Sequence, residues 1–536
     1  MPGMPLDRPR LRRLSALLAC SLAFSSVADA ASKRVRAIKP PTSQSAAAAT
    51  AAGSAGASPG TSADTSAAAR QLPGGLPVPV LTALQKAGIP LSSTSFYVVE
   101  VGAPAPLVSW NAQAAMNPAS TMKLVTTFAG LQLLGPSFRW QTSLYAERQP
   151  DENGVVGNLY LRGHGDPKLV PEEMARLVTN AKRSGVETIA GDLILDRSYF
   201  VEGLDNGQTI DGEVQRAYNV KPDALLYSFK TLSFTLRPAP GGQGVEVAAT
   251  PALAQLRIDN RLTLTNGRCG DWRSQAGPAI LPRADGTVQA VFEGRYAADC
   301  GEQSINIAAL THDDFIGGGF VAEWLASGGQ FARPPRIRAG RVPRLRFRVA
   351  RHYGPPLADI IRDINKFSNN VMARQLFLTI GAEIEDGGPG STATAARAIQ
   401  EWLSHQGLDM PTLVLDNGSG LSREERISAY DMARLLQQAL ASEAATVFLQ
   451  SLPVLGVDGT LRNRLTGSPA AGHGYLKTGT LADVKAIAGY VDAMDGRRYV
   501  VVNLVNHDNA ARAQEAQDAL LEWVYRGQAR AAQAFR

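Results

Sequence analysis

Cysteine and histidine are scarce in this chain, three and six among 536 residues. The histidines form no H-E-x-x-H pattern, and His164, between Gly163 and Gly165, reads as a turn residue, so no metal is expected. No G-x-G-x-x-G run follows a predicted strand, and no cofactor is implied. Charge of one sign is missing too. Lys and Arg total 54 against 48 Asp and Glu, a net +6 with no lysine-rich block, which argues against nucleic acid as a partner. Beyond the amino terminus, no apolar run reaches the ~20 residues a spanning helix needs. What remains, 45% hydrophobic and 19% charged residues, is the composition of a globular chain too long for one core.

The amino terminus reads as an address. Arg8, Arg10, Arg12 and Arg13 precede the apolar stretch 14–24, and Ala28-Asp29-Ala30 offers small residues for cleavage. Residues 1–30 are therefore expected to be a secretory signal peptide and the protein to be periplasmic, with a net charge of +4 once they are removed. That mild excess leaves contact with a membrane surface open. Leu18-Ala19-Cys20 offers a rival lipoprotein site, but Leu22, Ala23 and Phe24 carry the apolar core past Cys20. Residues 31–74 are dominated by Ala, Gly, Ser and Thr and read as a flexible tether. Gly56-Ala57-Ser58-Pro59-Gly60 matches G-x-S-x-G there, without the strand and helix that motif requires. Without Cys20, Cys269 and Cys300 form an even pair in an exported chain. A disulfide is expected over two free thiols, closing a loop of about 30 residues for ~3 kcal/mol on the loop-entropy view.

Ordered structure is expected from residue 75. Strands at 96–101 and 107–110 flank the turn Gly102-Ala103-Pro104, and an almost wholly apolar helix over 124–134 ends at Gly135-Pro136. So little polar surface puts that helix inside a domain. Between 141 and 335 short alternating segments separated by Gly, Pro and Asp predict β-rich material with small cores. Helical patterns return at 357–364, 370–380, 391–406 and 428–442. A hairpin over 484–491 and 499–505 turns at Asp495-Gly496, and a last helix covers 512–524. The fold class expected is α+β: one domain in two parts, 75–140 and 336–528, interrupted by an insertion over 141–335 that forms one or two smaller domains, with a tail at 529–536.

Three short motifs carry chemistry. In Ser120-Thr121-Met122-Lys123, at a helix start, positions i and i+3 share a face, so the lysine can meet the serine hydroxyl. Serine needs a base to become a nucleophile, and lysine serves only if burial or a nearby cation lowers its pKa. Ser368-Asn369-Asn370 offers a hydroxyl that can pass a proton to a leaving amine and an amide that can hold a substrate backbone group. Lys477-Thr478-Gly479-Thr480 reads as a strand where Gly479 lets a substrate lie against the backbone and Lys477 supplies a fixed positive charge. Each has a bland alternative in a helix cap or an edge lysine. Their conjunction and order are what inform.

In that order, S-x-x-K, S-x-N, K-T-G, the chain resembles the penicillin-recognising serine enzymes, the penicillin-binding proteins and serine β-lactamases. The resemblance implies a β-lactamase/transpeptidase-like domain, an antiparallel sheet with flanking helices. Ser120 and Ser368 are 248 residues apart, Ser368 and Lys477 only 109. The long first gap is similar to the class C low-molecular-weight penicillin-binding proteins, D-alanyl-D-alanine carboxypeptidase/endopeptidases. Gly165-Asp166-Pro167, Gly191-Asp192-Leu193, Tyr218-Asn219-Val220-Lys221-Pro222 and 416–423 also look like that family, and the resemblance covers roughly 75 to 528. Asn417 departs from it, since the family more often has Asp before Gly418.

The resemblance implies hydrolysis of peptidoglycan stem peptides and cross-links through an acyl-serine, with β-lactams as covalent inhibitors. Ser120 would be the nucleophile, Lys123 the base, Ser368 the proton relay and Lys477 the positive charge. Asn370 would hold a substrate amide, Thr478 and Thr480 the free carboxylate, and the N–H groups of Ser120 and Thr480 the oxyanion. Asp211, in Thr209-Ile210-Asp211-Gly212-Glu213, lies where the family places an acid near a diaminopimelate amine; a solvated loop carboxylate is the alternative. A serine β-lactamase and a non-catalytic wall-binding scaffold are the competing readings.

Overall fold

The computed structural model describes residues 75–203, 209–384 and 388–527. The segments expected to be a signal peptide and a tether, with the Gly56–Gly60 match and Cys20, and the expected tail at 529–536 all lie outside the described residues.

One five-stranded antiparallel sheet organises the part built from the first and last described segments. Its order is Gly474–Leu481, Val484–Asp492, Arg498–Asn506, Thr94–Glu100, Val108–Trp110, so the earliest and latest strands pair near its centre. Tyr499 to Leu504 is nearly continuous apolar sequence because both faces are covered. Val500, Val502 and Leu504 enter one core with the helices Lys123–Leu133, Leu357–Phe367, Asn370–Ile384, Thr392–His405 and Ala429–Ala441. Tyr499, Val501 and Val505 enter another with the helices Val78–Ala87 and Gln514–Tyr525. Each such buried valine or leucine stabilises the fold by roughly 1.5–3 kcal/mol. Asn503 interrupts the run, yet is only 1% exposed. It donates to Ser95 O and accepts from Gln517, which satisfies its amide inside the sheet.

The helix Lys123–Leu133 is the central one. Its residues from Lys123 to Leu131 are all buried, and a Cβ on Gly130 would stand 3.0 Å from Leu376 of the helix Asn370–Ile384. That close approach explains how these two helices share one core.

The strands Arg139–Ala146 and Phe347–Pro356 pair antiparallel, and between them the chain builds a second, mixed sheet with Leu159–Gly163, Leu193–Asp196 and Ile337–Ala339. Three smaller three-stranded sheets lie in the same stretch. This region is less purely β than its sequence suggests, for it holds the helices Pro171–Arg183 and His312–Ala326. The second escapes a sequence reading because Gly317-Gly318-Gly319 looks like a loop. In the fold these glycines let the helix lie flush: a Cβ would come within 2.6 Å of Ile337, 1.9 Å of Gln255 and 2.2 Å of Tyr227, in that order. Cys269 and Cys300 form the expected disulfide, beside Trp272 and Tyr296 in the insertion's own core. Among the described residues, no helix is long and apolar enough to cross a membrane.

Candidate active site

Ser120 sits in a 3-10 turn, Ala119–Met122, that runs straight into the central helix. Ala119 enters this turn at φ 44°, the left-handed region L-residues rarely adopt. Neighbours hold it there. Asn117 Oδ1 accepts from Ala119 N at 2.9 Å, and Asn117 and Asn506 exchange hydrogen bonds of 2.8 and 3.0 Å that fasten the turn to the sheet. Backbone strain at a functional turn persists only when its surroundings over-determine it.

Lys123, the first residue of the helix, is fully buried. Its Nζ donates to Ser120 Oγ at 3.0 Å, to Asn370 Oδ1 at 2.7 Å and to the carbonyl of Ser419. Burial pushes its pKa well below the usual lysine value; Lys477 and Arg374 lower it further, and Glu425 opposes them. A cation at a helix N-terminus also meets the positive end of the backbone dipole. This amine is therefore one that can take a proton from Ser120 Oγ.

Ser368 ends the helix Leu357–Phe367 in a left-handed conformation, φ 55°, and lets the next helix begin two residues later at Asn370. Its Oγ accepts from Lys477 Nζ at 2.8 Å, and the same nitrogen donates to Thr478 O at 2.7 Å. Lys477 is 0% exposed, and burial pushes it down to about 7. Its charge at neutral pH is therefore conditional, not fixed. Asn370 Nδ2 donates to Tyr218 O at 3.1 Å, bringing the insertion to the site's edge. Further along the same helix, Gln375 exchanges hydrogen bonds of 2.8 and 3.0 Å with the backbone of Asp223.

The strand Gly474–Leu481 is the edge of the main sheet. Leu476 N–H turns away from the neighbouring strand to Pro453 O at 2.9 Å. By the two-residue period of a strand, the N–H groups of Thr478 and Thr480 face that open side as well. Gly479 brings the strand against the nucleophile turn, since a Cβ there would stand 2.7 Å from Pro118 O and 3.0 Å from Ser120 N. Thr478 Oγ1 shares a hydrogen bond of 3.0 Å with Thr460 Oγ1, and Thr480 is exposed.

Asp211 is exposed and lies outside this cluster. Its carboxylate accepts from Tyr218 Oη at 2.5 Å, Asn219 Nδ2 at 2.7 Å and Glu213 N at 3.0 Å. Partial burial acts to raise its pKa, but those three hydrogen bonds outweigh it and hold the carboxyl below the usual range. Ser120, Lys123 and Asn370 thus form one hydrogen-bonded chain, Ser368 and Lys477 a second contact, and Asp211 is linked to Asn370 through Tyr218. Ser419, Thr460 and the Asn117–Asn506 pair are not evident from the three motifs, although Ser419 falls in the run Asp416-Asn417-Gly418-Ser419-Gly420.

Residues 80–526 match the D-Ala-D-Ala carboxypeptidase 3 (S13) family. The chain is 32% identical to a D-alanyl-D-alanine carboxypeptidase of an Actinomadura strain, over 75% of this chain and 76% of that protein. It is 23% identical to the D-alanyl-D-alanine carboxypeptidase DacB of Haemophilus influenzae, over 75% and 82% of the two chains. Its fold is similar to the crystal structure of penicillin binding protein 4 from Haemophilus influenzae, with a TM-score of 0.68, 22% identity and 83% and 99% of the two chains covered.

Proposed function

The chain belongs to the D-Ala-D-Ala carboxypeptidase 3 (S13) family and is a serine-type peptidase; from that premise we propose how its own residues perform the hydrolysis. Ser120 Oγ attacks the carbonyl carbon of a D-Ala-D-X bond while Lys123 Nζ takes its proton. The C–O bond forms, and the oxyanion lies between the N–H groups of Ser120 and Thr480, each worth a few kcal/mol of barrier. The C–N bond then breaks. The proton from Lys123 reaches the leaving amine through Ser368, and Lys477, when charged, stabilises the substrate carboxylate beside Thr478 and Thr480. Water, deprotonated by Lys123, hydrolyses the ester and frees Ser120. Asn370 holds the substrate amide.

The observation that carries this reading is the hydrogen bond of a fully buried lysine to Ser120 Oγ at 3.0 Å. Intact-protein mass spectrometry with penicillin tests it. The wild type should gain one penicillin adduct, and Ser120→Ala should gain none and release no D-Ala. An adduct on Ser120→Ala refutes the nucleophile.

The substrate is a peptidoglycan stem peptide or a cross-link, each carrying a D-Ala-D-X bond, β-lactams are its covalent inhibitors, and the amino-terminal pattern supports export to the periplasm. Asp211, ionised and joined through Tyr218 to Asn370, recognises an amine on the stem-peptide side chain. Asp211→Asn should lower kcat/KM roughly tenfold for a peptide bearing that amine and little for one lacking it. Equal losses would leave Asp211 as a loop-forming carboxylate. No observation favours the β-lactamase or the non-catalytic wall-binding reading.

A further inference from the structure

One buried acid takes no part in acyl transfer, yet it lies a single loop behind Lys123. Glu425 is 0% exposed. Its Oε1 accepts from the backbone N–H groups of Gly418 at 2.7 Å, Asn417 at 3.1 Å and Asp416 at 3.4 Å. Its Oε2 is buried and takes no hydrogen bond among the described residues.

The loop gathered by this carboxylate, 416–421, forms the floor beneath the nucleophile. The Ser419 carbonyl accepts from Lys123 Nζ, and the Gly418 carbonyl from Thr126 Oγ1 at 2.6 Å. A Cβ on Gly420 would stand 1.9 Å from Ala119 O and 2.6 Å from Ser120 N. The loop therefore turns N–H groups toward Glu425 and oxygens toward the central helix. Asn417 Oδ1 tightens it by accepting from Ser419 N at 3.0 Å and Oγ at 2.6 Å, and its Nδ2 donates to Leu421 O at 3.0 Å.

Among the described residues, the charged groups that act most strongly on Lys123 are Lys477, Glu425 and Arg374, and of these three Glu425 is the negative one. Arg374 approaches the same loop at Leu421 O, 3.4 Å, and Asp416 is the acidic neighbour on the loop itself. Burial raises the Glu425 carboxyl, and the loop's N–H groups oppose that rise.

We propose that Glu425 is a positioning residue for the general base: it locks the 416–421 loop so that the Ser419 carbonyl holds Lys123 against Ser120, and its charge offsets the buried cations around that lysine. The proposal rests on reading Lys123 as the base. It also gives the departure at Asn417 a physical sense, for the chain keeps a neutral amide in the loop and its acid behind it.

The test compares Glu425→Gln, Glu425→Asp and Lys123→Gln in the full chain. Penicillin acylation is followed by intact mass across pH, D-Ala release gives kcat and KM, and thermal unfolding establishes that each variant is folded. Glutamine keeps an oxygen for the loop's N–H groups but loses the charge, so KM should stay within about twofold. Lys123 then sheds its proton more readily, and the acid limb of acylation should move down by about half a pH unit or more, with a lower plateau from the weaker base. Aspartate keeps the charge and shortens the reach, so the limb should stay while the plateau falls about fivefold or more.

A folded Glu425→Gln with an unmoved limb overturns the electrostatic half of the proposal, and wild-type rates from Glu425→Asp overturn the positioning half. Should Glu425→Gln fail to fold, the aspartate variant decides both halves: an acid limb that moves although the charge is kept overturns the electrostatic half, and wild-type rates overturn the positioning half. Lys123→Gln separates this proposal from the reading beneath it. If that variant acylates at the wild-type rate, Lys123 is not the base and both fall; if it is inactive and the glutamate variants behave as wild type, only the Glu425 proposal falls.

Discussion

The candidate crevice and the outer sheet of the inserted region differ in how completely they are buried. In the crevice, two lysines are 0% exposed, each in its own set of hydrogen bonds, and the backbone comes so close that Gly420 and Gly479 have no room for a side chain. In the insertion, the sheet formed by Leu256–Thr265, Val288–Ala297 and Pro278–Pro282 leaves much of its outer surface exposed, and a disulfide closes the chain beside it. Free energy is spent differently in the two places. Desolvating a lysine disfavours its charged form, and a rigid, densely packed site can hold that unfavourable state for use as a base. A small layer with one open face has less apolar area to bury, and a covalent link compensates by restricting its unfolded states.

If the crevice is as rigid as this contrast requires, one added methyl group there should have the largest effect of any substitution that leaves the reacting side chains in place. Gly479→Ala forces the strand away from Pro118 O and Ser120 N, so acylation should fall by about 100-fold or more while thermal stability changes little, since a displacement of about 1 Å at the reacting centre costs that much. A rate within threefold of wild type would mean the strand and the nucleophile turn move freely.

The next test uses pH. Lys477 is held at about 7 in the folded chain against 10.5 for an ordinary lysine. Between those values the unfolded chain binds the proton that the folded chain has lost, so this site's contribution to stability rises with pH across that window, and its full cost is felt below it. Lys477→Met should be inactive yet more stable than wild type near pH 7, by on the order of a few kcal/mol at most, with the advantage shrinking toward pH 10. A gap that does not change with pH would contradict the burial argument.

The smallest effect on activity should come from the insertion. Replacing Cys269 and Cys300 with serine should lower stability by ~3 kcal/mol or less, while kcat/KM per folded molecule stays within about twofold. A large loss of activity at unchanged stability would tie the disulfide to the crevice and erase the distinction between the two regions.

Much of the fold was legible because its signals are local. The apolar stretch 124–134 and the hairpin turn Asp495-Gly496 each follow from the nature of neighbouring residues, and the cysteine pair from a simple even count. The helix His312–Ala326 was illegible because its glycines answer to Ile337, Gln255 and Tyr227, which pack against it from other elements. Ser419 was equally hidden as a partner of Lys123, since its contribution is a carbonyl, which every residue type carries.

The order of the three motifs, the address pattern and the run of apolar residues that makes a sheet covered on both faces were all written in the linear chain. Folding was needed to bring Lys123 to hydrogen-bonding distance of Ser120 in a dry environment, to take from Lys477 its assured charge, and to stand Glu425 behind them. The physical reason is that proton affinity depends on desolvation and on charges brought close in space, and neither is a property of a residue's neighbours along the chain.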